Sequence, residues 1–150
     1  MSARARSDRG AALVEMAVVV GLLAMFLFGI ITFGVTLSFR QSLTQAANEA
    51  ARAAAVAPRE LAVERARAAA DRVASGWDAT CDDGQGLTCT FLVTPCADGG
   101  GAGTECMTVE LRYDLGGHPR VPGLPVVSRA LPDEMVVRVA VQLTPEEEVP

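Results

Sequence analysis

The chain contains no lysine; all thirteen of its basic residues are arginine. That excludes Schiff-base catalysis and any isopeptide crosslink through a lysine amine. Histidine, tryptophan and tyrosine each occur once, as His118, Trp77 and Tyr113. No GxSxG, HExxH or phosphate-loop pattern is present, and no pair of cysteines has the CxxC spacing of a compact metal or redox site. The glycine-rich stretch 97–105 reads as a flexible hairpin loop, since no Lys or Ser/Thr follows at phosphate-loop spacing. His118 precedes Pro119 in a second loop and reads as a surface residue, because nothing nearby forms a nucleophile–base arrangement. Asp82-Asp83-Gly84 resembles a calcium turn but lacks the further acidic ligands such a loop needs. Trp77 and Tyr113 read as core or boundary aromatics. These absences predict a chain with no catalytic residues, no cofactor and no metal.

Positive charge is also scarce where a nucleic-acid partner would need it. The formal net charge is −5. The first ten residues hold Arg4, Arg6 and Arg9 against Asp8, a side-chain balance of +2, so the remainder carries −7. An acidic body of this kind repels a phosphate backbone, which excludes nucleic acid as a partner.

The third absence is of charge itself. Residues 16–39 contain no ionisable side chain. As a helix these 24 residues span roughly 36 Å, enough to cross a hydrocarbon core of about 30 Å with some tilt. The run is longer than a secretory h-region, and no small-residue cleavage site with a helix breaker follows it. The three arginines ahead of it place the N-terminus in the cytoplasm and everything beyond Arg40 outside. Glu15 sits at the start of this run, after Ala11–Val14. Two readings stay open: a carboxylate that snorkels to the headgroups, or one kept in the membrane for a function.

Helix-forming sequence continues from Arg40 to Ala57 and ends at Pro58. Ala46, Ala47, Ala50, Ala51 and Ala54 make its outer half a surface that another element can approach closely. A second helix is predicted over 58–75, with Ala62, Ala66, Ala69 and Val73 at helical spacing and Ser75-Gly76 as its stop. Its arginines read as a solvated face partnered by Glu60, Glu64 and Asp71. Three strands follow. Cys89, Phe91 and Val93 alternate with threonines. Met107, Val109, Leu111, Tyr113 and Leu115 alternate with polar residues, and Met135 to Leu143 repeat that period. The predicted fold class is α+β: a long transmembrane α-helix extending outside the membrane, a second short helix, and a three-stranded antiparallel meander packed on the first helix. The domains are a basic leader (1–10), the membrane helix with its extension (11–57) and an extracytoplasmic α+β domain (58–150). Residues 116–133, with four prolines, form a stiffer excursion, and the tail TPEEEVP is expected to fray.

Cys81, Cys89, Cys96 and Cys106 fall within 26 residues on the outer side, where clustered cysteines read as two disulfides. Cys89 and Cys106 lie on opposite faces of their strands, which disfavours a bridge between them. The predicted pairs are Cys81–Cys89 and Cys96–Cys106.

Arg9-Gly10 followed by Ala11-Ala12-Leu13-Val14-Glu15 resembles the class III signal sequence of type IV pilins. The longer match, with Phe28-Gly29, Phe33-Gly34, Arg40-Gln41 and the alanines 46–55, is similar to the opening of TadE-like pseudopilins of tight-adherence pili, over roughly residues 9–56. The resemblance implies cleavage by a prepilin peptidase between Gly10 and Ala11. It also implies an ion pair between Glu15 and the new α-amine of Ala11 on a neighbouring subunit. Its implied partners are that peptidase, other TadE/TadF-like pseudopilins, the major pilin, the inner-membrane pilus platform and the membrane, and its implied role is that of a minor subunit in pilus assembly or initiation. The alternative is an uncleaved, single-pass anchored binding protein with no part in a pilus.

Overall fold

In the computed structural model the described residues are 4–96, 104–117 and 132–143, with side chains described from Gly10 onward. The order is α1 (Arg4–Val56), a 3₁₀ turn (Arg59–Leu61), α2 (Ala62–Ala74), a 3₁₀ turn (Ser75–Trp77), then β1 (Leu87–Pro95), β2 (Glu105–Asp114) and β3 (Glu134–Gln142). The sheet is an antiparallel meander in the order β1-β2-β3. This is the predicted α+β arrangement. The expected loop 97–103, His118 with the prolines of 119–125, and the tail 144–150 lie outside the described residues.

α1 is 53 residues long, which corresponds to about 80 Å. It begins at Arg4 rather than at the expected Ala11. Alanine and arginine are good helix formers, and a single glycine, Gly10, costs only ~1 kcal/mol in a helix interior, so the leader continues the helix. Its two halves differ sharply. From Leu13 to Phe33 the large apolar side chains are exposed by 46% to 72%. This length and composition suffice to cross a membrane. From Phe39 outward one face is buried: Phe39, Leu43, Ala46, Ala47, Ala50 and Ala54. The covered stripe reaches downward through Thr32, which is 4% exposed, to the partly covered Gly29. Thr36 donates its hydroxyl to the Thr32 carbonyl at 2.8 Å, so this polar group is satisfied within the helix.

α2 packs against the outer half of α1, alanine against alanine. Ala62, Ala66, Ala69, Ala70 and Ala74 are buried on its inner face. Small side chains allow this close approach, but each buries little apolar surface. The helix is shorter than the predicted 58–75. Pro58 is extended (φ −53°, ψ 142°) and starts a 3₁₀ turn, while Asp78 rather than Gly76 takes the left-handed conformation that ends the second turn (φ 55°). Aspartate tolerates that region better than most residues. The arginines also find different partners from those expected. Arg59 pairs with Glu105, and Arg67 with Asp82 at 2.9 Å, while Asp71 accepts from the Cys81 amide at 2.6 Å.

The sheet lies over the two helices, with β2 and β3 on α1 and β1 toward α2. Met107, Val109, Leu111 and Tyr113 of β2 are fully buried, as their period of two requires. Leu87 and Cys89 continue that face into β1, but Val93 is 40% exposed. The far end of β1 therefore projects beyond the helices. Phe39 joins all three layers. It meets Tyr113 edge-on at 4.6 Å and Trp77 at 5.2 Å, and the Trp77 indole donates to the Ser42 hydroxyl at 2.9 Å. Edge-to-face pairs of this kind add about 0.5–1.5 kcal/mol each beyond the buried area.

The bonded cysteines are Cys81–Cys89 and Cys96–Cys106, with Cα–Cα distances of 5.3 and 5.0 Å. These are the predicted pairs, Cys89 and Cys106 being unbridged as their opposite faces require, and both fall in the ordinary distance range. Each closes a short loop and contributes about 2–3 kcal/mol in the loop-entropy account. The first ties the loop after α2 to β1. The second closes the distal end of the β1–β2 hairpin beside the Cys96 amide, which donates to the Thr104 carbonyl at 3.1 Å.

Phe39→Ala should destabilise the domain outside the apolar segment by about 3–5 kcal/mol. The check is urea unfolding of the full chain in detergent, followed by Trp77 fluorescence. A loss below ~1 kcal/mol would contradict the hub assigned to this ring.

Candidate functional site

Gly10, Ala11 and Glu15 all lie on α1 and are exposed. Ala11 and Glu15 are four residues apart, so they share a helical face at about 6 Å along the axis. Glu15 makes no hydrogen bond or ion pair with any described residue. It is thus an unpartnered carboxylate among Leu13, Val14, Met16, Val18 and Val19, which are themselves exposed. Gly10 is the weakest helix former in this stretch, yet α1 runs through the Gly10–Ala11 bond without a break. The structure brings these three residues together by helix geometry alone. It places the four cysteines at the other end of the molecule, within the sheet domain.

The segment linking α2 to β1 is held by its own carboxylates. Asp83 accepts from the Thr80 amide at 2.9 Å, from the Thr80 hydroxyl at 2.8 Å and from the Gln85 amide at 2.7 Å. Asp82, at φ 62°, accepts from Arg67. Arg67 also lies over the Phe91 ring at 5.5 Å. Asp83 is committed to the turn itself and Asp82 to Arg67 of α2. Among the described residues no group of three or more His, Cys, Asp or Glu side chains is placed to hold a metal ion.

The outer face of the sheet carries an ion network. Glu110 accepts from Arg138 Nε at 2.7 Å and from Arg112 Nη2 at 3.0 Å, and Arg112 donates its other nitrogen to Glu134 at 2.8 Å. The hydrogen bond from Arg138, then that from Arg112, holds the Glu110 carboxyl below the usual carboxylate range. Arg112 is raised further above its ordinary value, first by Glu110 and then by Glu134. Opposed charges on neighbouring strands fix register more than they add stability. The pairing is Glu110 opposite Arg138 and Arg112 opposite Val136.

Sequence periodicity alone did not single out Phe39, Asp71 or Asp83. Phe39 is the last residue of the uncharged run, yet it sits in phase with Leu43, Ala46 and Ala50. That phase was the available signal. The aspartates act through local amide contacts that leave no periodic trace.

Residues 10–52 match the family model for TadE-like proteins. The matched range takes in Gly10, Ala11, Glu15, the apolar segment and most of the alanine stripe, and it coincides with the stretch whose resemblance was read from the residues. No curated protein and no solved structure matches the chain.

Because the Glu110 carboxyl is held low in the folded state, its contribution is present above the usual carboxylate range and is lost as pH falls through the lowered folded value. Glu110→Gln should therefore be less stable than the parent at neutral pH and converge with it in acid. Urea midpoints across that range, measured on the full chain, check this. Parallel curves at every pH would show that the network does not titrate as described.

Proposed function

We propose that this chain is a minor pilin-like subunit, a pseudopilin, of a tight-adherence pilus. In this reading it is stored in the cytoplasmic membrane as a single-pass protein with its N-terminus inside. The observation that carries the reading is the unpartnered Glu15 at the foot of an apolar helix, one turn above Gly10–Ala11, within the range matched by the TadE-like model.

Physical chemistry gives these residues complementary roles. A carboxylate retained in hydrocarbon costs about 2.5–3.5 kcal/mol even by the mildest scale, and removing one partner of a buried pair costs about 3–5 kcal/mol. Such a residue is tolerable in a helical bundle if each neighbour supplies one cation. Cleavage after Gly10 by a prepilin peptidase supplies it. The bond broken is the Gly10–Ala11 amide, water adds across it, and Ala11 is left with a free ammonium. The same cut removes Arg4, Arg6 and Arg9, which hold the N-terminus at the cytoplasmic face. The ammonium of one subunit then pairs with Glu15 of the next and sets their axial register. The domain outside the membrane carries two disulfides, which suits an oxidising compartment. It serves as an initiating, tip or assembly surface toward other TadE/TadF-like pseudopilins, the major pilin and the inner-membrane platform. The role is structural, not enzymatic.

Two measurements test this. N-terminal sequencing of the mature protein should begin at Ala11, and Gly10→Val should retain residues 1–10; an intact leader on the parent chain would favour an uncleaved anchored protein instead. Glu15→Leu should leave membrane insertion unchanged and lower incorporation into pili on the order of a hundredfold, the equivalent of roughly 3 kcal/mol. Undiminished incorporation would remove the register role.

A further inference from the structure

Where the apolar segment meets the sheet domain, the structure contains a crevice of about 690 Å³, within the roughly 300–1,000 Å³ range of small-molecule sites. One wall is the end of the apolar run, with Phe33 and Leu37. The other is the start of β3, with Met135, Val136 and Val137. Phe33, Leu37 and Val136 are 66%, 44% and 41% exposed. The lining is thus apolar on both sides, and on the helix side it is continuous with the surface that faces hydrocarbon in a membrane.

Arg40 stands at the top of this crevice. It is the first charge after the uncharged run, and its guanidinium has no hydrogen-bond or ion-pair partner among the described residues. The acidic residue of the lining, Glu134, is already held by Arg112 at 2.8 Å. Among the described residues the crevice therefore offers one unneutralised fork of donors beside an apolar slot. That is the charge and polarity order of a phospholipid, with its anionic phosphate above its acyl chain. Guanidinium binds phosphate through paired N–H donors.

We propose that the crevice seats one anionic phospholipid of the outer leaflet, its phosphate against Arg40 and an acyl chain between Phe33–Leu37 and β3. The assignment rests on the membrane placement proposed above, but not on cleavage or on Glu15. A peptide occupant would pair with the edge of β3 without calling on Arg40. A lipid uses both the slot and the cation.

The full chain, extracted from membranes in mild detergent and examined by native mass spectrometry, should retain about one phospholipid. Phosphatidylglycerol should be preferred over phosphatidylcholine when the chain is reconstituted in discs of either composition. Arg40→Glu should lower retention about tenfold, the loss of one charge-assisted contact. Gly29, which lines the lower part of the slot, would carry a Cβ with nothing within 4 Å. Gly29→Leu, whose Cβ meets open space, should obstruct the lower slot and displace the lipid, with Trp77 near-UV dichroism unchanged. Equal retention by parent and Arg40→Glu, a lipid-free parent, or a photocrosslinker at Val136 that captures a polypeptide instead of lipid would each overturn the assignment. Carbonate washing separates the two failures. A chain released by carbonate loses the membrane placement as well, whereas a chain that stays in the membrane without lipid in the crevice loses only this inference.

Discussion

The structure depends on one face of α1. Phe39, Leu43 and the alanines up to Ala54 form one wall of the core, and they continue the same helix whose lower half is apolar all round. The domain outside the apolar segment is thus built directly onto that helix. Phe39 is the joint between the layers, because its ring packs against Tyr113 of β2 and Trp77 beyond α2 at once. A polar residue there would separate sheet and second helix from the anchor together.

Alanine packing has a cost that the rest of the domain offsets. An alanine interface brings backbones close but removes little apolar area from water per residue, and a domain of this size has little core to spare. The larger burial comes from the sheet side, through Met107, Val109, Leu111 and Tyr113. The loops are then closed locally. Two disulfides span separations of 8 and 10 residues, and Asp71 and Asp83 satisfy the amides between α2 and β1. Such devices suit a domain whose connections, rather than its core, are its weak points.

Much of this was legible in the sequence, because the decisive patterns were local. The uncharged run, the alanine stripe and the period of two in β2 and β3 each depend on residues only a few positions apart. Strand parity, which is also local, ruled out a Cys89–Cys106 bridge, and the observed short-loop pairs are Cys81–Cys89 and Cys96–Cys106. What escaped was set by contacts between distant segments. Arg59 of the first 3₁₀ turn and Arg67 of α2 do not pair with Glu60, Glu64 or Asp71; they reach Glu105 and Asp82, whose positions depend on how the sheet lies. The start of α1 at Arg4 escaped because a glycine is too weak a breaker to end a strongly helical run. The Gly10, Ala11 and Glu15 group was legible only as a motif. Helix geometry shows that Ala11 and Glu15 share a face, and no described residue pairs with Glu15.

The two ends of the anchor bear on each other through length. Glu15 and Arg40 are 25 positions apart, about 37 Å along a helix, whereas the hydrocarbon core is about 30 Å thick. In the proposed membrane placement, with Arg40 at the outer edge of the hydrocarbon core, Glu15 in an upright helix falls about 7 Å beyond the inner edge, among hydrated headgroups, where its charge costs little. The same carboxylate in a bundle of helices drawn out of the membrane has no such solvent and requires an ammonium. On the proposed function the two readings of Glu15, headgroup residue and register residue, would describe two states of one subunit. In the proposed pseudopilin the need for a partner arises on leaving the bilayer, so a carboxylate harmless in storage would become selective in assembly.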